Sequence, residues 1–507
     1  MKRFVKIKTA AFIITLALVL SLGFAACGES GDKSADSGGS PDIAGGESAA
    51  DQSGGGGDAD DGLFYDDLPN LDFGGYEYKV VTGTYMRENQ ELYPETEIGE
   101  ILNDTIYKRN KNIEERFNIN FKSETIDLMQ LLTALSKNVK AGDAAYDMYM
   151  QIDRDAYSAA GQGLLYPVDK LLHVDLTRPY WCQLPNKQLT VGGRLYWAFS
   201  DDMLSHFEAT VVLFFNKKQT QDLGLEDMYG LVRNGAWTHD KLFEFAKLAV
   251  RDVSGDGKMG EEDYWGFISE ADYFYQPFWI SAGITLVSKD ENDIPYFSVP
   301  GNQKFFNMAE KVTDALNSKD GIYLESQKVK LASYPGNSTE SRVAFFRAGH
   351  GLFMVGAIQE MVQLRDMPDD FGIIPFPKFT ADQTQYYTRV CGGFPYVIPG
   401  TIGNPDIAGA VLEAMACSAR NEIIPAYYES ALKTKYSRDA DTAEMLDLIF
   451  DTRVYDLGDT IWYNPIRIDY TNVFAKGDNS FTSATEKSAE KYAGIIEKSV
   501  NAILEIE

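Results

Sequence analysis

Apolar and polar positions begin to alternate regularly near Tyr76, where "YEYKVVTG" reads as a β-strand. In "EILNDTIYKRNKNIEERFN", Leu102, Ile106, Ile113 and Phe117 recur at helical spacing and form one face. "INFKSET" reads as a second strand. Leu128, Leu131, Leu132, Leu135 and Val139 then line a helix that stops before Gly142. "YDMYMQ" is a third strand. A βαβαβ order predicts a mostly parallel sheet with helices on both faces. Ligands in such sheets bind beyond the carboxyl ends of the strands, which places "QIDRDAY", from Gln151, at the mouth of a site.

A second α/β pattern follows. "ATVVLFFNK" is a buried strand, and "WTHDKLFEFAKLAV" is a helix with Thr238 as its N-cap. "GLFMVGA", "DFGIIPFP" and "GGFPYVIP" read as three further strands. The C-terminal third reads as helical over 405–421, about 423–432, about 442–451, and "ATEKSAEKYAGIIEKSVNAILEIE". No internal repeat is present.

Before Tyr76 the pattern is different. Lys2, Arg3, Lys6 and Lys8 precede an apolar run too short and wrongly flanked for an ordinary membrane span. The run ends in "GFAAC", which resembles the bacterial lipobox, with Phe24 where leucine is usual. The expectation is a signal peptide over 1–26 and a lipidated Cys27, anchored at the outer face of the cytoplasmic membrane. Residues 27–62 are almost entirely Gly, Ser, Ala and Asp, which cannot offset the entropy of ordering, so they read as a flexible tether.

The 507 residues suffice for two or three domains with buried cores. The net charge of −28 disfavours nucleic acid or anionic lipid as the main partner. Besides Cys27 the chain holds Cys182, Cys391 and Cys417, so at most one disulfide can form among those three and the core must carry stability. Enzyme signatures are poor: there is no nucleophile elbow, no His-Glu-x-x-His, no Walker loop and no dinucleotide fingerprint. The pair Asp201–Asp202 reads as solvated surface rather than as glycosidase carboxylates. "RDVSGDGKMGEEDYWGF" fits a calcium loop in part, with Asp252, Ser254, Asp256, the Lys258 carbonyl and Asp263 at ligand positions and Gly257 at the turn. The alternative is a turn in which Asp252 and Ser254 cap local amides. No cofactor is required; a bound calcium would be a structural clip.

Taken in order, several segments resemble the family-1 extracellular solute-binding proteins, the maltose-binding type. They are "YDMYMQIDRDAYSAAGQGLLYPVDKLL", "GGRLYWAFSDDMLSHFEATVVLFFNKKQTQDLGL", "LVRNGAWTHDKLFEFAKLA", "RVAFFRAGHGLFMVGA", "DFGIIPFPKF", "CGGFPYVIP" and "ALKTKYSRDADTAEMLDLIFD". The resemblance implies a type II periplasmic-binding-protein-like α/β fold, two lobes joined by a hinge with the ligand between them. It puts 63–205 plus 395–452 in the first lobe and 206–394 plus part of 453–507 in the second, with crossings near 203–210, 389–398 and 452–465.

The same resemblance implies site residues. Asp153 and Arg154 fall on the family's sugar-contacting pair, with the aromatic Tyr157 after them. Glu208 lies near the acidic residue of the first crossing, beside His206. "SEADYFYQPFWISAG" makes Glu270 a hydroxyl acceptor and Tyr273 or Phe274 a stacking platform, with Gln276 and Trp279 close by; Trp462 and Tyr463 add a further aromatic pair. Aromatic faces suit the C–H faces of sugar rings, and carboxylates and amides suit the hydroxyl edges. Met150 and the "VGAIQE" run stand where the maltose-binding members carry tryptophans, so the ligand is not expected to be maltose-like in detail. The expected role is a monomeric lipoprotein that captures an oligosaccharide for an ABC importer's permease subunits. Alternatives are a ligand-binding partner of a sensor kinase, a peptide or polyamine binder, and a secreted carbohydrate-active enzyme.

Overall fold

The computed structural model describes residues 62–84, 92–317, 322–325, 331–427 and 440–506. The expected signal peptide, Cys27, all of the tether but Gly62, and part of the helix expected near 423–432 lie outside the described residues. Among the described residues no helix is long and apolar enough to cross a membrane.

Two five-stranded sheets organise the chain. The first contains β1 (Tyr76–Gly83), β2 (Ile119–Ile126), β3 (Met148–Met150), β4 (Leu165–Tyr166) and a late strand, β13 (Tyr396–Pro399), in the order β2-β1-β3-β13-β4. β1 runs parallel to β2 from Tyr76↔Ile119 to Gly83↔Ile126, and parallel to β3. β13 is antiparallel to both β3 and β4. Tyr78, Val80 and Val81 bury β1, whereas polar β2 is an edge strand. Between them lies α1 (Ile101–Phe117), capped by the Glu100 carboxylate on the amides of Leu102 and Asn103 and ended by Asn118 in the left-handed region. Its face of Leu102, Ile106, Ile113 and Phe117 is buried, as the periodicity predicts. After β2 come α2 (Leu131–Lys140) and, after β3, α3 (Asp153–Gly161).

α4 (Gln183–Leu189) and α5 (Leu204–Glu208) then carry the chain into the second sheet. It comprises β5 (Val211–Asn216), β6 (Trp265–Ser269), β9 (Tyr323–Glu325), β10 (Gly351–Ala357) and β11 (Phe371–Ile374), in the order β11-β5-β10-β6-β9. Every residue of "VVLFFN" and of "GLFMVGA" is buried, which suits central strands covered on both faces. Two small pairs remain. β7 (Val287–Lys289) and β8 (Pro295–Phe297) form a hairpin, while β12 (Thr388–Arg389) and β14 (Arg453–Val454) pair in parallel where the chain passes between the sheets.

One boundary differs from expectation. Helix Ala440–Asp451, placed with the first lobe by the limits 395–452, packs on β11 of the second sheet. Thr442 bonds the Tyr229 hydroxyl at 2.8 Å, and Arg233 pairs with Glu444 at 2.6 Å. The apolar stripe of this helix is covered by β11 of the second sheet.

Candidate functional site

A cavity of about 420 Å³ opens at the carboxyl ends of β1, β2 and β3. Thr82, Thr84, Ser123 and Thr125 supply hydroxyls from the strand ends. Tyr93, Phe394 and Tyr396 supply aromatic faces, and Ser205 and Glu208 enter from α5. Gly83 fits here because a Cβ would lie within 3.0 Å of Leu128, Leu131 and Met150 atoms. The two segments that close the cavity are tied together: the Phe394 amide donates to Ser205 Oγ at 2.9 Å. Behind the wall, buried Arg109 pairs with Asp202. Burial holds the Tyr396 phenol far above its ordinary pKa, so it stays neutral and can both donate and accept.

Glu208 is fully buried in this wall. The other expected residues divide into three groups. Asp153, Arg154, Tyr157, Trp462 and Tyr463 come together at the amino end of α3. Asp153 is buried and its Oδ2 accepts from the Tyr455 hydroxyl at 2.5 Å. Desolvation pushes its carboxyl up to about 6, against the opposing effect of the Tyr455 bond. Its partner in the expected pair, Arg154, is a third exposed and lies 5.1 Å from the Tyr463 ring centroid; Arg467 lies 4.9 Å from the same ring. Tyr157 and Trp462 pack edge to face at 5.2 Å and are buried. Of this group, only Arg154 and Tyr463 offer appreciable surface.

The second group is Glu270 and Tyr273. Glu270 is buried and accepts from Ser338 Oγ at 2.6 Å and Thr339 Oγ1 at 3.0 Å. Arg342, also buried, reaches Glu360 at 2.9 Å and Glu270 at 3.4 Å, and lies 5.4 Å from the Tyr273 ring. Gly356 makes room for this cluster, since a Cβ there would meet Glu360 Oε2 at 2.1 Å. Tyr273 is half-buried and can serve as a platform.

The third group lies in the core. Phe274 stacks on Tyr323 at 3.8 Å, Gln276 donates to Thr471 at 3.2 Å, and Trp279 donates to Asp456 at 3.4 Å. All three are fully buried. In Gln276–Ser281 every residue is buried, so no polar face in the sequence tells which aromatics turn inward.

Reading the residues alone did not find the strand-end hydroxyls, Tyr93, Phe394, Tyr396, Tyr455 or Arg342. The strand-end rule applied to "YEYKVVTG" and "INFKSET" points to Thr82 and Thr125; nothing local marks the others. His206 is buried with Phe199 stacked on it at 4.5 Å. Its Nδ1 accepts from Arg453 at 3.1 Å. Burial first, and Arg453 second, hold it neutral.

The acidic loop is self-capped. Asp252 accepts from the amides of Gly255 (2.6 Å) and Gly257 (2.9 Å) and from Ser254 Oγ (3.0 Å). Buried Asp263 accepts from the amides of Val253 (2.8 Å) and Gly260 (2.7 Å). Exposed Asp256 takes only the Lys258 amide, at 2.8 Å. Among the described residues no group of three or more His, Cys, Asp and Glu is arranged to hold a metal ion.

A family model described as bacterial extracellular solute-binding protein matches residues 96–417, more than half of the chain. No curated protein sequence matches. Among solved structures, the chain is similar to the GacH receptor of Streptomyces glaucescens, studied unliganded and with acarbose (TM-score 0.54, 14% identity, 83% of this chain and 99% of that one). It is similar to UgpB from Mycobacterium tuberculosis with glycerophosphocholine (TM-score 0.54, 15% identity, 84% and 98%). It is also similar to a cyclo/maltodextrin-binding protein with maltotetraose (TM-score 0.52, 16% identity, 85% and 97%). At such identities the likeness is one of fold, the two-lobed type II binding-protein fold expected from the sequence.

Proposed function

The chain belongs to the bacterial extracellular solute-binding protein family, and from that premise we propose that it captures an oligosaccharide and delivers it to an ABC importer. The cavity at the ends of β1–β3 carries the reading. Its 420 Å³ falls within the usual range for small-molecule sites. Its lining offers aromatic faces for sugar C–H surfaces, with hydroxyls and the Glu208 carboxylate for sugar hydroxyls. Arg154, Tyr463 and Tyr273 are proposed to add ligand contacts outside it.

Closure of the halves on ligand is the proposed mechanism, since only a ligand touching both halves favours the closed state. The chain is proposed to work from the outer face of the cytoplasmic membrane, held by a lipid on Cys27. A thermal-shift panel of maltotetraose, acarbose, glycerophosphocholine, spermidine and a tetrapeptide tests the ligand class. A bound ligand raises the midpoint with the logarithm of its concentration over Kd. A shift with the sugars supports the proposal; a shift with spermidine or the peptide and none with any sugar refutes it. Uptake of the shifting ligand by cells lacking the chain tests delivery, and unchanged uptake refutes it.

A further inference from the structure

We propose that the hairpin β7–β8 and the last turns of the C-terminal helix Phe481–Leu504 form a permanent brace. It holds the two sheet-centred halves together along one edge, so that they part only at the other. The hairpin stands in sequence between β6 and β9 of the second sheet and is anchored on the third crossing and the C-terminal helix. The amide of Leu286, the residue before β7, donates to Asp456 at 3.0 Å, Ser298 Oγ donates to the Thr285 carbonyl at 2.8 Å, and Phe297 packs edge to face on Tyr492 at 5.1 Å. Its tip reaches the first half. Lys289 Nζ donates to the carbonyls of Lys187 and Thr190, the latter at 3.1 Å, at the end of α4. Asp293 orients that ammonium at 2.7 Å, and the Gly192 amide donates to the Asp293 carbonyl at 3.2 Å.

The C-terminal helix reinforces the contact. A Cβ on Gly161 of α3 would lie 3.6 Å from Ala502, and one on Gly192 would lie 2.5 Å from Leu504. Gly192 also adopts a positive φ of 56°, so glycine answers both demands at once. Ser499 accepts from Trp462 Nε1 at 3.1 Å, tying the same helix to the ring that packs on Tyr157 of α3.

Strand order places this brace relative to the cavity. In the sheet β2-β1-β3-β13-β4, the Gly192 turn sits at the β4 edge, because Leu195 pairs with Val168 just after β4. The cavity lies at the ends of β2, β1 and β3, and no residue of the hairpin lines it. Strands lie about 4.8 Å apart, so β2 stands about 19 Å from β4. A swing of about 20° about the braced edge moves the cavity edge by about 6–7 Å and the brace by almost nothing.

Two pairs of spin labels on the full chain test this by pulsed dipolar spectroscopy without ligand. The labels are carried on a ketone-bearing unnatural residue, so the buried cysteines stay untouched. One pair, at exposed Leu184 and Tyr296, spans the brace. The other, at exposed Met129 before α2 and exposed Leu248 on the helix packed against β6 and β10, spans the two halves without touching the hairpin. The first pair is expected to give one narrow distance and the second a distribution several ångströms wider. Lys289→Met keeps the stem and drops the carbonyl bonds, and it is expected to broaden the first pair. Equal widths for the two pairs in the wild-type chain overturn the brace, whether or not the variant folds. An unchanged first pair in a folded Lys289→Met overturns the role of Lys289's bonds.

Discussion

Arg342→Met should be among the most damaging single changes outside the apolar core. The guanidinium is fully buried between two carboxylates, with Glu360 at 2.9 Å and Glu270 at 3.4 Å, and its Nη1 donates to the Val355 carbonyl at 2.6 Å. Methionine matches the stem but leaves the carboxylates uncompensated. Glu270 keeps Ser338 and Thr339, and the Val355 carbonyl keeps Ser269 Oγ at 3.2 Å, so Glu360 suffers most. Removing one partner of a buried pair costs about 3–5 kcal/mol. That is a large part of the about 5–15 kcal/mol typical of a domain. Arg342→Met/Glu360→Gln removes the stranded charge and should recover about half. The pH dependence has a definite sign. Burial already raises the Glu360 carboxyl, with Arg342 opposing it, and loss of Arg342 raises it further. A carboxyl raised in the folded state contributes stability that is fully present below its unfolded value, about 4.3, and lost as pH rises through the folded value. The variant's deficit should be small near pH 4 and complete near pH 8. Urea unfolding followed by both fluorescence and circular dichroism measures it, coincident curves supporting a two-state treatment. A deficit under about 1 kcal/mol at pH 8, or a double variant no better than the single, would refute the reasoning.

Tyr455→Phe removes the 2.5 Å bond to Asp153 and should cost about 1.5–3 kcal/mol. Because Asp153 is already raised to about 6, the deficit should be least in acid and grow as pH rises through about 6; a pH-independent deficit in urea unfolding contradicts it. Phe274→Ala, in the core against Tyr323, should cost about 3–5 kcal/mol in unfolding while leaving ligand affinity unchanged below the melting range. A selective loss of affinity in calorimetry would instead put Phe274 at the ligand. Glu208→Gln should weaken calorimetric affinity for any sugar that shifts the midpoint by about tenfold to a hundredfold, the worth of a charge-assisted hydrogen bond. As a calcium clip, the 252–263 loop should give a calcium-dependent rise in melting temperature that Asp256→Ala abolishes; no rise in the wild-type chain refutes the clip.

The strands were legible because a buried strand leaves a continuous apolar run. "VVLFFN" and "GLFMVGA" are buried at every position. The helix on Thr238 was legible for a local reason, an N-cap hydroxyl accepting from the Lys241 amide at 3.4 Å ahead of an apolar stripe. The site was legible only where one segment carries it. Glu208, at the end of α5, lines the cavity, and Arg154, at the start of α3, keeps a third of its side chain exposed beside Tyr463. Asp153 looked equally available, but its carboxylate is taken by Tyr455, 302 positions away. Thr82 and Thr125 are ordinary strand residues until the parallel pairing brings their hydroxyls together at 3.0 Å. Nothing in the sequence around Lys289 marks a distant partner, and only the folded chain puts it on the end of α4.

The crossings themselves explain why so many charges are buried there. β12 and β14 are two residues long, too short for a backbone ladder to set the angle between the halves. Side chains do that work instead. Neighbours Tyr455 and Asp456 bind opposite halves: Tyr455 holds Asp153 on α3, and Asp456 accepts from the amides of Leu286 and Val287 and the indole of Trp279. Asp459 locks to Arg389 of β12 through bonds of 2.6 and 2.9 Å. Apolar packing would fill the same space without favouring one angle, whereas these bonds are directional. Buried ion pairs are weak evidence for stability, and their attested use is to fix one arrangement among several. With Leu286 and Val287 at the root of the brace, the peptide between Tyr455 and Asp456 lies where the two halves meet. The rotation that opens the cavity edge must therefore pass close to it.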